Sequence, residues 1–245
     1  MQSILLTIEY DGSNYSGWQR QPNGLAIQQV VEEALQKVTR HTINLRSSGR
    51  TDAGVHALAM PAVFQTPLTI PLAAYIEGTN RFLPCDIAIK NAIEVGSEFS
   101  PIRDAIAKHY RYTILNSKIR SPIFRLNAWH IRERLNIDSM KQAAKNFEGT
   151  HDFSSFRASN CGACTSKRRI DSIVIEEGND FITIDVTGGG FLKNMVRIMT
   201  GTLVEIGKGR FTPDYINSLL QNPDRKKAGV TAPAHGLCLI KVYYP

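Results

Sequence analysis

The same order of strand and helix signals can be read twice along this chain, and that repetition limits the folds open to it. Residues 3–10 form a buried-strand pattern that stops at the Asp11-Gly12 turn. Residues 25–39 place Ile27, Val30, Val31, Ala34, Leu35 and Val38 on one helical face. Short strands near 42–47 and 60–66 flank a glycine-containing loop, and a helix near 71–80 leads into a strand over 87–95. The second half repeats the order. A strand at 109–115 precedes a helix near 139–147 that Asp138 can cap, then a hairpin of 170–176 and 181–186 turns at Gly178-Asn179-Asp180. Helices near 191–206 and 213–221 follow, and 236–243 closes as a strand.

Each half reads β-α-β-β-α-β, which is the ferredoxin-like arrangement. The expectation is an α+β chain of two ferredoxin-like subdomains, residues 1–100 and 101–245, whose antiparallel sheets meet at a basic central cleft. The repeat lies in element order alone; no sequence identity links the halves.

At 245 residues with 42% hydrophobic and 21% charged side chains, the composition is that of a soluble globular protein with enough chain for a proper core. The apolar patch Ile4-Leu5-Leu6 is cut off by Glu9 and Asp11, too soon for a signal peptide, and no apolar run approaches a membrane span. A cytoplasmic enzyme with no membrane association is expected. Four cysteines (Cys85, Cys161, Cys164 and Cys238) are too few for a disulfide framework. Cys161-x-x-Cys164 supplies half of a zinc site at most, since no second Cys or His pair stands at ligand spacing. A reduced thiol pair in a loop, and no metal, is the expectation.

The net charge of +7 is unevenly placed. Residues 1–100 carry 7 basic against 9 acidic side chains, the remainder 22 against 13. Within 103–134 the count is 8 to 2, with Tyr110, Tyr112 and Trp129 interleaved. Such a surface attracts polyanions by counterion release, and its aromatic faces accept unstacked bases. A solvated basic face explains the charge equally well.

Asp52 stands between Gly49 and Gly54 in a loop joining two strands. The glycines permit backbone shapes closed to other residues and can hold a carboxylate out at a fixed angle, while an ordinary Asx-turn explains the same pattern. Arg50, two residues earlier, favours the first reading. Tyr110 and Tyr112 share one face of a strand, so alternation does not say which is exposed. On a helix from 191 to 206, Lys193, Asn194 and Arg197 share the polar face, turned either to solvent or to a cleft. Gly188-Gly189-Gly190 lacks the Gly-Lys-Ser/Thr ending of a phosphate-binding loop, which argues against a nucleotide-dependent kinase or ATPase. His56 and His109 stand beside these residues, in ligand-contacting or structural roles.

The run Gly49-Arg50-Thr51-Asp52-Ala53-Gly54-Val55-His56 resembles the signature of the tRNA pseudouridine synthase A family. Four further stretches resemble that family's motifs, in its order and over nearly the full chain: Glu9-Tyr10-Asp11-Gly12 through Gln21, Tyr110-Arg111-Tyr112, Phe153-Ser154-Ser155-Phe156-Arg157, and Phe191-Leu192 through Arg197. The resemblance implies a homodimer without metal or organic cofactor that acts on uridines 38 to 40 of the tRNA anticodon arm. It assigns Asp52 as nucleophile, Arg197 as its ion-pair partner, Tyr110 as the ring that stacks on the target uracil, and Arg50 as an arginine that displaces the target base. Met60 and Val63 depart from the pattern, standing where glutamine and histidine are usual.

The chemistry suits these residue types. Pseudouridine forms when the N1–C1′ bond breaks, the uracil turns, and C5 bonds to C1′. A carboxylate can attack covalently or take a proton on a glycal route, and an arginine orients it in either case. The alternative of a non-catalytic RNA-binding protein gives no reason for a carboxylate facing a polyanion.

Overall fold

The computed structural model describes residues 1–245 and contains ten strands and five α-helices, a mixed α/β architecture. No helix is long and apolar enough to cross a membrane. The chain forms two compact units. Met1–Ile106 and Leu239–Pro245 make the first, Ala107–Cys238 the second.

The first unit begins with β1 (Gln2–Tyr10), whose alternate residues Ile4, Leu6, Ile8 and Tyr10 are buried. Helix α1 (Ile27–Thr39) follows and buries Ile27, Val31, Ala34 and Leu35. Then come β2 (Arg46–Ser47), β3 (His56–Thr66), α2 (Leu72–Asn80) and β4 (Ile87–Val95). β4 and β3 flank β1, both antiparallel to it, and β2 pairs antiparallel with β3. The strand order is therefore β4-β1-β3, with the two-residue β2 paired to β3 off that path and the chain's closing strand (Leu237–Tyr243) the next after β3. β2 is much shorter than the 42–47 pattern suggests because side chains of α1 take the backbone groups a ladder would use. The Leu45 N–H donates to Glu32 Oε1 at 2.9 Å, and Gln28 Nε2 donates to the Leu45 carbonyl at 3.2 Å.

The second unit contains β5 (Ala107–Asn116), β6 (Trp129–Ile131), α3 (Ile137–Ala144), β7 (Gly149–Asp152), β8 (Lys167–Gly178), β9 (Phe181–Gly188), α4 (Met195–Gly207) and α5 (Tyr215–Gln221). β9 lies antiparallel between β5 and β8, β7 extends the sheet beyond β8, and β6 runs parallel to β5. Phe147, Phe153 and Phe156 pack ring on ring in its core. β6 and β7 have too few residues to show a period, so the pattern over 109–186 missed both.

Three boundaries differ from the sequence reading. Asn136 rather than Asp138 caps α3, its Oδ1 accepting from Ser139 N at 3.0 Å; Asp138 sits inside the first turn, where a negative charge suits the helix N-terminus. α4 starts at Met195, not residue 191, because Asn194 takes a left-handed conformation (φ 63°) that a helix cannot contain. Lys193 is thereby outside the helix, and the shared polar face reduces to Arg197. Finally, the division falls after Ile106, not residue 100, and the closing strand β10 (Leu237–Tyr243) crosses it. The Tyr243 carbonyl accepts from Ile106 N at 2.8 Å, and Tyr244 packs on Phe99 while its hydroxyl donates to the Pro101 carbonyl at 3.0 Å. These bonds tie the end of the chain to the first unit.

Candidate active site

The Asp52 loop enters from β2 and leaves into β3, and its backbone is held on both flanks. Thr51 is buried, with Oγ1 2.8 Å from the Tyr10 hydroxyl at the end of β1. The Thr51 carbonyl accepts from Trp18 N at 3.2 Å. Asp52 then opens a turn that Val55 N closes by donating to the Asp52 carbonyl at 3.1 Å. Gly54, inside that turn, adopts φ 79°, a conformation that favours glycine. Asp52 is half-buried and Arg50 exposed.

Residues 10–18 form a saddle under this loop. Gly17 adopts φ 95°, and a Cβ there would stand 2.6 Å from the Thr51 carbonyl oxygen. A Cβ on Gly12 would stand 2.0 Å from the Val55 oxygen. Both glycines let backbone meet backbone. The Tyr10 and Trp18 rings pack with centroids 5.9 Å apart and bury the floor. His56, buried at the start of β3, has Nδ1 3.1 Å from Gly12 N and 3.0 Å from Asp11 Oδ1. Burial opposes ionisation of Asp11, but hydrogen bonds from the Ser13 hydroxyl and N–H, with His56 alongside, outweigh it and hold the carboxyl below its ordinary range. His56 is thus built into the loop's support.

Residues 9–21 and 49–56 are separate motifs in the sequence and one structure in the fold. Periodicity carries no trace of a contact between positions 10 and 51. The paired glycines were the available signal.

Arg50 also lines a cleft of about 270 Å³ in this unit, with Trp18, Gln28, Arg46 and Ile102 among its walls. Met60 and Val63, the two departures from the resembled pattern, are buried in β3. Their apolar character is accounted for by the core.

In the second unit, Tyr112 is wholly buried and its hydroxyl donates to the Pro233 carbonyl at 2.8 Å. Burial pushes this phenol far above its ordinary range, against a smaller opposing pull from Arg197. Tyr110 is 9% exposed, its ring edge-on to Phe191 with centroids 5.1 Å apart. Both tyrosines of the shared face are therefore buried, Tyr112 completely and Tyr110 with a small exposed remainder. His109 and Arg111, on the same strand, both engage Asp185 of β9, Arg111 through Nε at 3.0 and 3.1 Å from the two carboxylate oxygens.

Arg197 lies half-buried in the first turns of α4. Its Nε donates to the Ala232 carbonyl at 2.7 Å and its Nη1 to Asn194 Oδ1 at 3.0 Å. Two of the five guanidinium N–H groups are thus spent fixing the plane of the group. The left-handed Asn194 that shortens the helix also supplies one of those anchors. A Cβ on Gly188 would stand 2.5 Å from the Arg169 carbonyl oxygen, so at least this glycine of the triplet serves strand packing. No cluster of three or more His, Cys, Asp or Glu side chains is gathered for a metal ion.

The sequence matches the family described as tRNA pseudouridine synthase over residues 6–102 and 143–245, stretches that include Asp52 and Arg197. This chain belongs to the tRNA pseudouridine synthase family. It is an isomerase. It is 62% identical over 244 residues, all of both chains, to tRNA pseudouridine synthase A of Pelobacter propionicus. It is 54% identical, again over the whole of both, to tRNA pseudouridine synthase A of Geotalea daltonii. A chain of a solved Cbf5-Nop10-Gar1 complex is similar at 11% identity and a TM-score of 0.39, covering 96% of this synthase and 57% of that chain.

Proposed function

We propose that this synthase converts uridines 38, 39 and 40 of the tRNA anticodon arm to pseudouridine, with Asp52 as nucleophile. The observation that carries the reading is the Asp52 turn itself. A carboxylate on a turn whose preceding residue is clamped by Tyr10 and Trp18 has a fixed origin, which positioning catalysis requires.

A uridine stacked within the arm is out of reach and must be turned out at a cost of a few kcal/mol. Arg50, exposed on the approach to Asp52, takes the space the base leaves. Tyr110 stacks on the extruded uracil and returns part of the cost, about 1–3 kcal/mol for a base–aromatic contact. Tyr110 is mostly covered, so the stack uses what its ring leaves exposed beside Phe191. Arg197, its plane already set by Ala232 and Asn194, pairs with the Asp52 carboxylate and orients it. The N1–C1′ bond breaks as Asp52 attacks C1′ or takes the C2′ proton, and the uracil rotates. C5 then bonds to C1′ as the Asp52–C1′ bond breaks or the proton returns to C2′, and C5 loses its proton to solvent while N1 gains one. Nothing is oxidised or reduced, so the reaction calls for no redox cofactor.

Each unit is read as a ferredoxin-like subdomain; the β4-β1-β3 order of the first, with β2 paired to β3, supports that description of it. The working form is a cytoplasmic homodimer that binds tRNA.

Tritium release from tRNA labelled at uridine C5 tests the proposal. The wild type should release label from the anticodon arm, and Asp52→Asn should bind tRNA and release none. Release by Asp52→Asn at the wild-type rate would remove the aspartate from the mechanism. Label released only from positions outside 38–40 would overturn the site assignment.

A further inference from the structure

A backbone strap lies against α4 and lines a cavity that the isomerisation leaves unused. A Cβ on Gly201 of the helix would run into the Val230 carbonyl, and one on Gly229 would stand 2.5 Å from Thr202 N. Gly229 N donates to Thr202 Oγ1 at 2.9 Å, and Ala232 N donates to the Arg197 carbonyl at 3.1 Å. The strap is therefore fixed to the helix by close packing and by hydrogen bonds at both ends. The cavity beside it holds about 670 Å³ and lies wholly within the second unit. Its walls include Ser159, Asn160, Asn194, Arg225, Lys226 and Thr231, and no Asp or Glu is among them.

Arg225 is the preset element of that lining. Its Nη1 donates to the Gly229 carbonyl at 3.0 Å and its Nη2 to Thr231 Oγ1 at 3.0 Å. Both acceptors are neutral and Arg225 forms no ion pair, so a half-buried positive charge faces the cavity without a carboxylate to balance it. Three of its five N–H donors are left over. Lys226 adds an exposed ammonium. Asp224, the nearest acidic residue along the chain, is not among the walls, and its Oδ1 accepts from Lys226 N at 2.9 Å. Two cations and neutral polar groups, with no carboxylate, select an anion. The planar fork of arginine suits the paired oxygens of a phosphate.

We infer that this cavity is a binding subsite for a backbone phosphodiester of the tRNA, with Arg225 as its anchor and Lys226 as its second cation. The cavity is far larger than one phosphate group, which leaves room for the chain to enter and leave. Phosphate contacts set the register of a nucleic acid on a protein. Here the register is tied to Arg197: Asn194, in the wall, accepts from Arg197 Nη1, and the strap runs on to Ala232, which accepts from Arg197 Nε. A phosphate seated on Arg225 therefore fixes the strand relative to that guanidinium. The inference rests on tRNA as substrate and not on Asp52 as nucleophile.

Lysine footprinting of the full chain with acetic anhydride, read by peptide mass spectrometry, tests it. Unmodified tRNA should protect Lys226 several-fold and leave Lys141, exposed on α3, unprotected. Inorganic phosphate at the same concentration should protect neither. A salt titration of tRNA binding gives the second reading. Lys226→Ala should lower the slope of log affinity against log salt by roughly one, and Lys141→Ala by much less. Asn160→Asp puts a carboxylate into the wall and should weaken tRNA binding several-fold at low salt, less at high salt. Lys226 and Asn160 are exposed, so neither change threatens folding. Equal labelling of Lys226 with and without tRNA, a slope change no larger than that of Lys141→Ala, or native affinity in Asn160→Asp would overturn the subsite. Protection by inorganic phosphate equal to that by tRNA would overturn the backbone assignment in favour of a free anion. An Asp52→Asn variant that kept its activity would leave all of these readings in place, so the two proposals fail separately.

Discussion

Arg197 and Ala232 bind each other twice: Arg197 Nε donates to the Ala232 carbonyl at 2.7 Å, and Ala232 N donates to the Arg197 carbonyl at 3.1 Å. The side chain and backbone of one residue are thus tied to a single peptide neighbour 35 positions away. A guanidinium held this way keeps its plane without help from substrate. Lysine preserves the charge and loses the fork. Arg197→Lys should therefore lose at least tenfold in turnover, about 1.4 kcal/mol of barrier, while binding tRNA with nearly native affinity. Single-turnover tritium release beside filter binding separates the two; a parallel fall in both would mean that Arg197 holds substrate and not the nucleophile.

Gly17 is a backbone contact with a conformational requirement. Alanine there meets the Thr51 carbonyl at 2.6 Å and is strained at φ 95°. Gly17→Ala should cost about 1–3 kcal/mol of stability and depress turnover further, because relief of the clash moves the residue before Asp52. Thermal melting and saturating tritium release check this, and a variant with native turnover would detach the saddle from the chemistry.

Acid should unfasten the support beneath the loop. The Asp11 carboxyl is held below its ordinary value of 3.8, so its folded pKa lies under its unfolded one. A depressed carboxyl contributes stability that is full above the unfolded value and is lost as pH falls through the folded one. The melting-temperature gap between wild type and Asp11→Asn should thus be constant near neutrality and shrink below about pH 4. A gap that stays flat down to pH 3 would contradict the assignment.

Tyr110 calls for a substitution that respects its burial. Alanine would empty a packed position and cost several kcal/mol, confusing stability with function. Tyr110→Leu keeps much of the volume against Phe191 and removes the ring face. It should reduce turnover more than tRNA affinity, and equal losses in both would count against stacking on the target base.

Much of the first unit was legible because its elements are long and their periods clean: β1, α1 and β4 appear close to where alternation and helical spacing put them. What failed was local and had local causes. The 42–47 pattern is apolar enough for a strand, but Glu32 and Gln28 satisfy the Leu45 backbone from α1, a competition that no hydropathy pattern records. Asn194 ends the helix pattern early through a left-handed turn, although Phe191 and Leu192 keep the apolar spacing beyond it. At the candidate site, the loop that carries Asp52 was readable from its flanking glycines. Its mechanical support was not, since Tyr10 and Trp18 reach Thr51 across more than thirty residues, and tertiary contacts of that range leave no periodic mark.

The first unit is also discontinuous in sequence, and synthesis runs in one direction. Residues 239–245, which complete the unit carrying Asp52, are made only after the 132 residues of the second unit, 107 to 238. At about 5–20 residues per second that interval is roughly 7–26 s. During it β3 has β1 on one side and waits for β10 on the other, apart from the two-residue β2. A nascent chain stalled before residue 239 would therefore present an unpaired strand edge in the unit that carries Asp52, the kind of surface that chaperones and aggregation compete for. The second unit, by contrast, is finished without interruption.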